Sequence, residues 1–148
     1  MFQNSMKAFM YHVLACIASF LMLQAFSPYE HPLSIGMYAY LFAVLLLVVV
    51  YYIKAGTKLN RLASPSHDWL SVATVAVPGL IMWSSMSFLS GEGQSDWVFF
   101  SLYYLSIRPL GEMLSINSHS VQLIFNFIVC FLPSLLLGIG LKITRKKR

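Results

Sequence analysis

Residues 41–56 read LFAVLLLVVVYYIKAG, and this stretch decides the fold. Between Leu41 and Ile53 the polar groups are the hydroxyls of Tyr51 and Tyr52, and Lys54 then ends the apolar run. A helix needs about 20 mostly apolar residues to cross the hydrocarbon of a bilayer. Extended back to residue 33, the run meets that length. We therefore predict a membrane-spanning helix over residues 33–53, followed by a basic loop.

Three further stretches have the same character, and we predict spans over residues 8–26, 69–89 and 121–141. The composition agrees, since 58% of the chain is hydrophobic and 10% is charged, whereas a soluble domain has about 25% charged residues. The sequence thus predicts a single all-α integral membrane domain, residues 1–148, built as a bundle of four transmembrane helices.

The basic residues predict the orientation of the bundle. Nine of the ten Lys and Arg residues are Lys7 or lie in residues 54–61 and 142–148, and Arg108 is the tenth. Four crossings place all nine on one side, and cytoplasmic loops carry the excess of positive charge. We expect a bacterial inner-membrane protein with both termini in the cytoplasm. A cleaved signal peptide fits less well, because residues 8–26 exceed the apolar region of about 7–15 residues in such peptides.

The same residues predict the partners of the basic face. They flank apolar spans and are not interleaved with aromatic residues on a polar helix, which argues against nucleic acid. Anionic lipid headgroups are the expected counter-charge.

The aromatic-rich segment Trp97–Ile107 cannot cross the membrane as a helix. It would reach about 16 Å, and the hydrocarbon layer is about 30 Å thick. We expect an interfacial or re-entrant helix, broken at Pro109 and Gly111. The alternative is a fifth, tilted span, which would move one basic cluster to the outer side. Kinks are predicted at Pro78-Gly79 in the third span and at Pro133 in the fourth.

The interiors of the predicted spans lack Asp, Glu, Lys and Arg. Proton-coupled carriers keep such a group there, so this counts against a small multidrug exporter. We expect His12 to pack or to bond a neighbouring helix, and Cys16 and Cys130 to be small apolar packing residues. Before the third span, Ser66 is predicted to cap the helix and Asp68 to favour its positive end.

No motif for nucleophilic catalysis, nucleotide binding or metal-dependent hydrolysis occurs, so we predict no catalytic residue, cofactor or metal. Two sets of candidate contact residues remain. Partner or ligand contacts are predicted at Trp97, Phe100, Tyr104, Gln122 and Asn126. An outer polar cluster is predicted from Glu30, His31, Arg108, Glu112 and His119.

Three functions follow, in descending order of support. The first is a non-enzymatic protein that acts through a membrane partner or a homo-oligomer, as an accessory subunit, a regulator or an immunity-type protein. The second is a transporter or channel subunit, for which a polar cavity lined by Asn126 and Ser85 would be the sign. The third is a membrane-embedded enzyme acting on lipid or envelope substrates through the outer polar cluster, which would require those side chains to converge.

Overall fold

The computed structural model describes residues 1–26, 35–60, 62, 64–89, 97–114 and 119–146, and these residues form helices and turns without a strand. The helices, in chain order, are α1 (Phe2–Phe26), α2 (Ile35–Thr57), α3 (Pro65–Ala73), α4 (Ala76–Leu89), α5 (Trp97–Tyr103), α6 (Arg108–Leu114), α7 (His119–Val129) and α8 (Leu132–Lys146).

Within these ranges, three helical stretches are long and apolar enough to cross a membrane: Phe2–Ala25, Ile35–Thr57 and Ser120–Thr144. The prediction of an all-α protein with membrane-type helices is confirmed to that extent. The helices also run past the predicted apolar limits, because a helix does not have to end where the hydrocarbon ends. The predicted third span is divided between α3 and α4, so it does not form one continuous helix of that kind.

Each of three helix breaks precedes a proline. The breaks lie at residues 74–75, 104–107 and 130–131, and Pro78, Pro109 and Pro133 stand in the first turns of α4, α6 and α8. Proline is tolerated there, because the first-turn N–H groups have no partner within the helix. The predicted break at Pro109 and Gly111 is therefore wrong: α6 runs through both residues, and the chain turns before them.

The start of α3 also differs from the prediction. Ser64, and not Ser66, is the N-cap, and its hydroxyl accepts a hydrogen bond from the His67 backbone N–H at 3.3 Å. Asp68 Oδ1 accepts a bond from the Leu62 backbone N–H at 2.8 Å. The Asp68 carboxylate thus ties the preceding loop to the helix in addition to lying in its first turn.

The closest helix pair is α2 with α8, which run parallel. Gly56 lies against the Leu137 carbonyl group, and Gly140 lies against the Ile53 carbonyl oxygen. Farther along, Thr144 Oγ1 donates to the Thr57 carbonyl oxygen at 3.3 Å. Small residues that let two backbones approach are a main source of helix association in lipid. This seam, defined by Gly56 and Gly140, adjoins the larger of two apolar cores.

The turn between α5 and α6 belongs to the second apolar core. In this core Phe100 of α5, with Tyr104 and Ile107 of the turn, packs against Val129 and Cys130 of the fourth apolar stretch. These three side chains are 2–4% exposed. Because this turn lies next to the break at residues 130–131, two interruptions of helical structure share one location inside the bundle. The third interruption, at residues 74–75, is contacted by Tyr103, whose hydroxyl donates to the Val75 carbonyl oxygen at 2.7 Å.

Candidate functional site

A cluster of polar side chains lies buried where α1 and α2 meet the α5–α6 turn. We call His12, Cys16, Tyr52 and Ser106 the His12 cluster. His12 Nδ1 and Tyr52 Oη share a hydrogen bond of 2.7 Å, and Tyr52 Oη is 3.0 Å from Ser106 Oγ. His12, Tyr52 and Ser106 are each 0% exposed. Three segments distant in sequence are thereby joined by directional bonds.

Cys16 adds a second attachment from α1 to the same turn. It stands one helical turn after His12, so the two side chains share a face. Its thiol donates to the Tyr103 carbonyl oxygen at 3.0 Å, and the Tyr103 ring lies 4.5 Å from the His12 ring, centroid to centroid. The turn is therefore held from α1 through both its backbone and an aromatic contact.

The Cys16–His12 pair forms a long contact, with Cys16 Sγ 3.8 Å from His12 Nε2. The thiol proton is directed to a backbone carbonyl instead. The described residues contain no group of three or more His, Cys, Asp and Glu side chains able to hold a metal ion. The bonds of this arrangement join α1, α2 and the α5–α6 turn.

Side-chain donors also satisfy carbonyl groups near the breaks. Tyr104 Oη donates to the Cys130 carbonyl oxygen at 3.1 Å, and Ser134 Oγ donates to the Val72 carbonyl oxygen at 2.9 Å. Inside a membrane, an interrupted helix requires such bonds, because no water is present to pair with the freed backbone groups.

In the described part of the chain, Ser19 Oγ is the fully buried side-chain atom that lacks a hydrogen-bond partner. The amides of Gln122 and Asn126 likewise form no hydrogen bond with the residues that the structure describes. Gln122 is exposed and Asn126 is half-buried, one turn apart on α7. These two side chains keep their hydrogen-bonding capacity.

The contacts of α7 establish the direction in which this pair faces. Phe125 would contact a side chain added at Gly111 of α6, and the Trp83 ring of α4 lies 5.0 Å from the Phe127 ring. Asn126 falls between Phe125 and Phe127 around the helix, since successive residues are about 100° apart. It therefore faces the space between α4 and α6, opposite the exposed Ile124 and Ile128.

The other predicted contact residues are distributed differently. Phe100 and Tyr104 are buried in the second core, and Trp97 begins α5. Arg108 Nε donates to Glu112 Oε1 at 2.6 Å across α6. Glu30 and His31 lie outside the described residues, and His119 begins α7. Within the described chain, the Arg108–Glu112 pair is the part of the outer polar cluster that comes together.

The His12 cluster was hard to predict from the sequence, because its members are ordinary residues of three separate predicted segments. A usable signal was present at Tyr52, which is one of two hydroxyl-bearing residues in an otherwise apolar half-span. Tyr52 lies two residues before Lys54, near the end of the predicted span, where a tyrosine hydroxyl can also face the headgroup region. The prediction that His12 bonds a neighbouring helix therefore did not identify Tyr52 as its partner.

No protein-family model, no curated protein and no solved structure matches this chain. The functional interpretation therefore depends on the geometry.

Proposed function

We propose that the chain is a multi-pass protein of the inner membrane that crosses the bilayer four times, with both termini in the cytoplasm. The crossings are α1, α2, α3 with α4, and α7 with α8. Supporting this, α3 and α4 together run antiparallel to α7 and α8 over their length. Ser134 reaches the Val72 carbonyl near one end, and Trp83 Nε1 donates to the Leu123 carbonyl oxygen at 3.0 Å near the other.

In this arrangement α5 and α6 form a re-entrant hairpin. Each has seven residues and spans about 10 Å, too short to cross. Their buried turn contacts Val75 and Cys130, which lie near the middles of the two crossings that they belong to. A hairpin that enters and leaves on the outer side keeps all three basic segments on the inner side, as the charge rule requires.

Within that architecture we propose that the protein acts without catalysis, through a membrane partner, as an accessory subunit, a regulator or an immunity-type protein. The observation that carries this proposal is the unpaired Gln122–Asn126 amide pair near the start of α7. Most other polar side chains of the apolar helices bond within the chain, including all four of the His12 cluster. A half-buried amide that lacks such a bond is suited to accept one from another molecule.

The energy available from such a contact is modest but sufficient for recognition. Hydrogen bonds between helices in membranes contribute about 0.6 kcal/mol on average and up to about 1.7 kcal/mol. Two amides present four donor and two or more acceptor positions. Loss of one amide should therefore weaken a complex by about 3-fold to 20-fold, since 1.4 kcal/mol corresponds to a factor of 10.

The two alternative functions have less support in the described residues. A transport pathway along Asn126 and Ser85 is not favoured, because Ser85 Oγ bonds to its own helix at Met82 and its side chain is exposed. The polar atoms of the His12 cluster are bonded to one another and to the Tyr103 backbone. An outer-face enzyme would need the polar cluster to converge, and the described part of it is a surface ion pair.

Photocrosslinking in cells tests the proposed partner. A benzoylphenylalanine at position 122 should give an adduct of one discrete mass, identifiable by mass spectrometry. The matched control is the same group at position 124, on the opposite face of α7, where Ile124 is 63% exposed and lipid adducts are expected. Asn126→Leu should reduce the adduct at position 122 several-fold.

The stability of Asn126→Leu separates a partner contact from a structural role. Since the amide has no bond within the described chain, the unfolding midpoint in detergent should stay unchanged or rise. A fall in that midpoint, or identical diffuse adducts at positions 122 and 124, would contradict the proposal.

A further inference from the structure

A groove of about 300 Å³ lies between α1 and α5, away from the Gln122–Asn126 pair. Its walls are formed on one side by α1 and on the other by the end of α5 and the start of the turn. The lining residues that matter here are His12, Cys16, Ile17, Phe20, Leu102 and Leu105. We propose that this groove binds one acyl chain of a membrane phospholipid.

The depth of the groove restricts what can reach it. Its α1 residues extend from position 12 to position 20, in the middle of a helix that runs from Phe2 to Phe26. The predicted apolar part of this helix covers residues 8–26, so at 1.5 Å per residue its nearer end is about 6 Å from His12 along the axis. At that depth in the bilayer the surrounding molecules are hydrocarbon chains and not headgroups.

The rim of the groove is apolar and continuous with the outer surface of the bundle. Ile17 is 52% exposed, Phe20 is 40% exposed and Leu102 is 49% exposed. The same side of α1 also exposes Leu21. In a chain of this composition these side chains face lipid, so the opening connects the interior directly with the acyl-chain region.

The floor of the groove has polar atoms, but they are already bonded. His12 Nδ1 is bonded to Tyr52, and the Cys16 thiol donates to the Tyr103 carbonyl oxygen. A polar ligand would have to displace these bonds, whereas a hydrocarbon chain would displace none. The surface offered to a ligand is therefore carbon and sulfur.

The volume fits part of a lipid and not a whole one. About 300 Å³ is at the lower end of the range for small-molecule pockets and about twice the cavity of ~150 Å³ that accommodates benzene. A terminal segment of one acyl chain matches this size, while the headgroup and the second chain remain in the bilayer. The proposal does not depend on the proposed partner, because the two sites use different helices.

The test uses the full chain in vesicles of phosphatidylethanolamine and phosphatidylglycerol that contain a trace of phosphatidylcholine with a diazirine at one acyl terminus. After illumination, peptide mapping should find adducts on residues 12–20 and 102–105. These should exceed by several-fold the adducts on Phe42, Leu46 and Leu47 of α2, whose exposures of 49–55% match those of the groove rim.

Filling the groove should remove the excess. Val13 also lines the groove, so Val13→Phe should reduce groove adducts to the level of the α2 surface, and Leu47→Phe should leave them unchanged. Ile17→Trp fills the groove from its rim and replaces Val13→Phe if that variant is not monodisperse in detergent.

Two results would overturn the proposal. One is labelling that follows exposure alone and ignores both filling variants. The other is preferential labelling of the groove by a photoreactive polyprenyl phosphate under conditions in which the phospholipid probe does not label it.

Discussion

The α2–α8 seam and the His12 cluster hold the same helix, α2, by different means. At the seam Gly56 and Gly140 bring two backbones into contact, and carbonyl groups of the facing helix occupy the space that a larger side chain would need. At the His12 cluster, about one helical turn before Gly56, Tyr52 is held by hydrogen bonds of 2.7 and 3.0 Å. Association at the seam depends on the close fit of two backbones, and at the cluster it depends on directional hydrogen bonds.

This difference matters because lipid replaces water around the bundle. Apolar side chains gain little by leaving lipid for another helix, so close packing and hydrogen bonds remain to stabilise the association. A backbone contact cannot adapt to an added atom, whereas Tyr52 keeps Ser106 as a partner when it loses His12. The seam should therefore be the more sensitive of the two regions to substitution.

The largest effect is expected at the seam. In Gly140→Ala the new Cβ would overlap the Ile53 carbonyl oxygen, and in Gly56→Ala it would overlap that of Leu137. Forced overpacking costs about 1–3 kcal/mol. The free energy of unfolding of each variant, measured by titration with sodium dodecyl sulfate in mixed micelles, should fall by at least that much.

The control for the seam variants is Gly111→Ala. Its Cβ would lie 3.4 Å from the Phe125 ring, an ordinary contact, and alanine is favoured over glycine in a helix by about 0.5–1 kcal/mol. Equal losses at Gly140 and Gly111 would mean that the seam is not special.

A smaller effect is expected from His12→Leu. The substitution keeps the volume roughly constant but leaves Tyr52 Oη with Ser106 as its remaining bonded neighbour in the cluster. Loss of one partner of a buried hydrogen bond costs about 1–3 kcal/mol in water-soluble proteins, and membrane values lie below this. The unfolding midpoint in the same titration should fall by less than in Gly140→Ala. A larger fall would reverse the ranking of the two regions.

The bond itself can be isolated with a double-mutant cycle. Tyr52→Phe, His12→Leu and the double variant should give a coupling energy of about 0.6 kcal/mol and no more than about 1.7 kcal/mol. A coupling energy near zero in the same unfolding assay would mean that His12 and Tyr52 act by packing and not through their 2.7 Å contact.

The smallest effect is expected at the surface. Arg108 and Glu112 form an ion pair of 2.6 Å, but the Arg108 side chain is 56% exposed. Exposed pairs contribute about 0–1 kcal/mol and are screened by salt. Arg108→Gln should change the unfolding midpoint little at low salt. It should not change the midpoint at all in about 0.5 M NaCl, where the screening length is well below ~10 Å. A loss that persists at high salt would give this pair a structural role comparable to that of the cluster.

The sequence was most informative where one physical requirement dominates. Long apolar runs require a membrane, so the stretches around Leu41–Ile53 and residues 121–141 were predicted close to their observed positions. The positions of the helix breaks were harder to predict. Interruptions were indicated by Pro78, Pro109 and Pro133, but each proline stands in the first turn of the next helix and the break precedes it. A first-turn position suits proline because its N–H group has no partner within the helix.

The polar contacts were the least predictable part. Ser106 carries no signal of its own, and its contact with Tyr52 follows from the position of the α5–α6 turn beside α1 and α2. That position depends on packing between distant segments, such as Tyr104 with Cys130. Composition and periodicity report on one helix at a time, so they do not reveal a contact that joins three segments.

The short helices α5 and α6 impose an order on folding. They are synthesised before α7 and α8, yet the core into which their turn packs is completed by Val129 and Cys130. Neither seven-residue helix is long enough to cross a membrane by itself. The turn therefore finds its packing partners only after residues 129–130 have been synthesised.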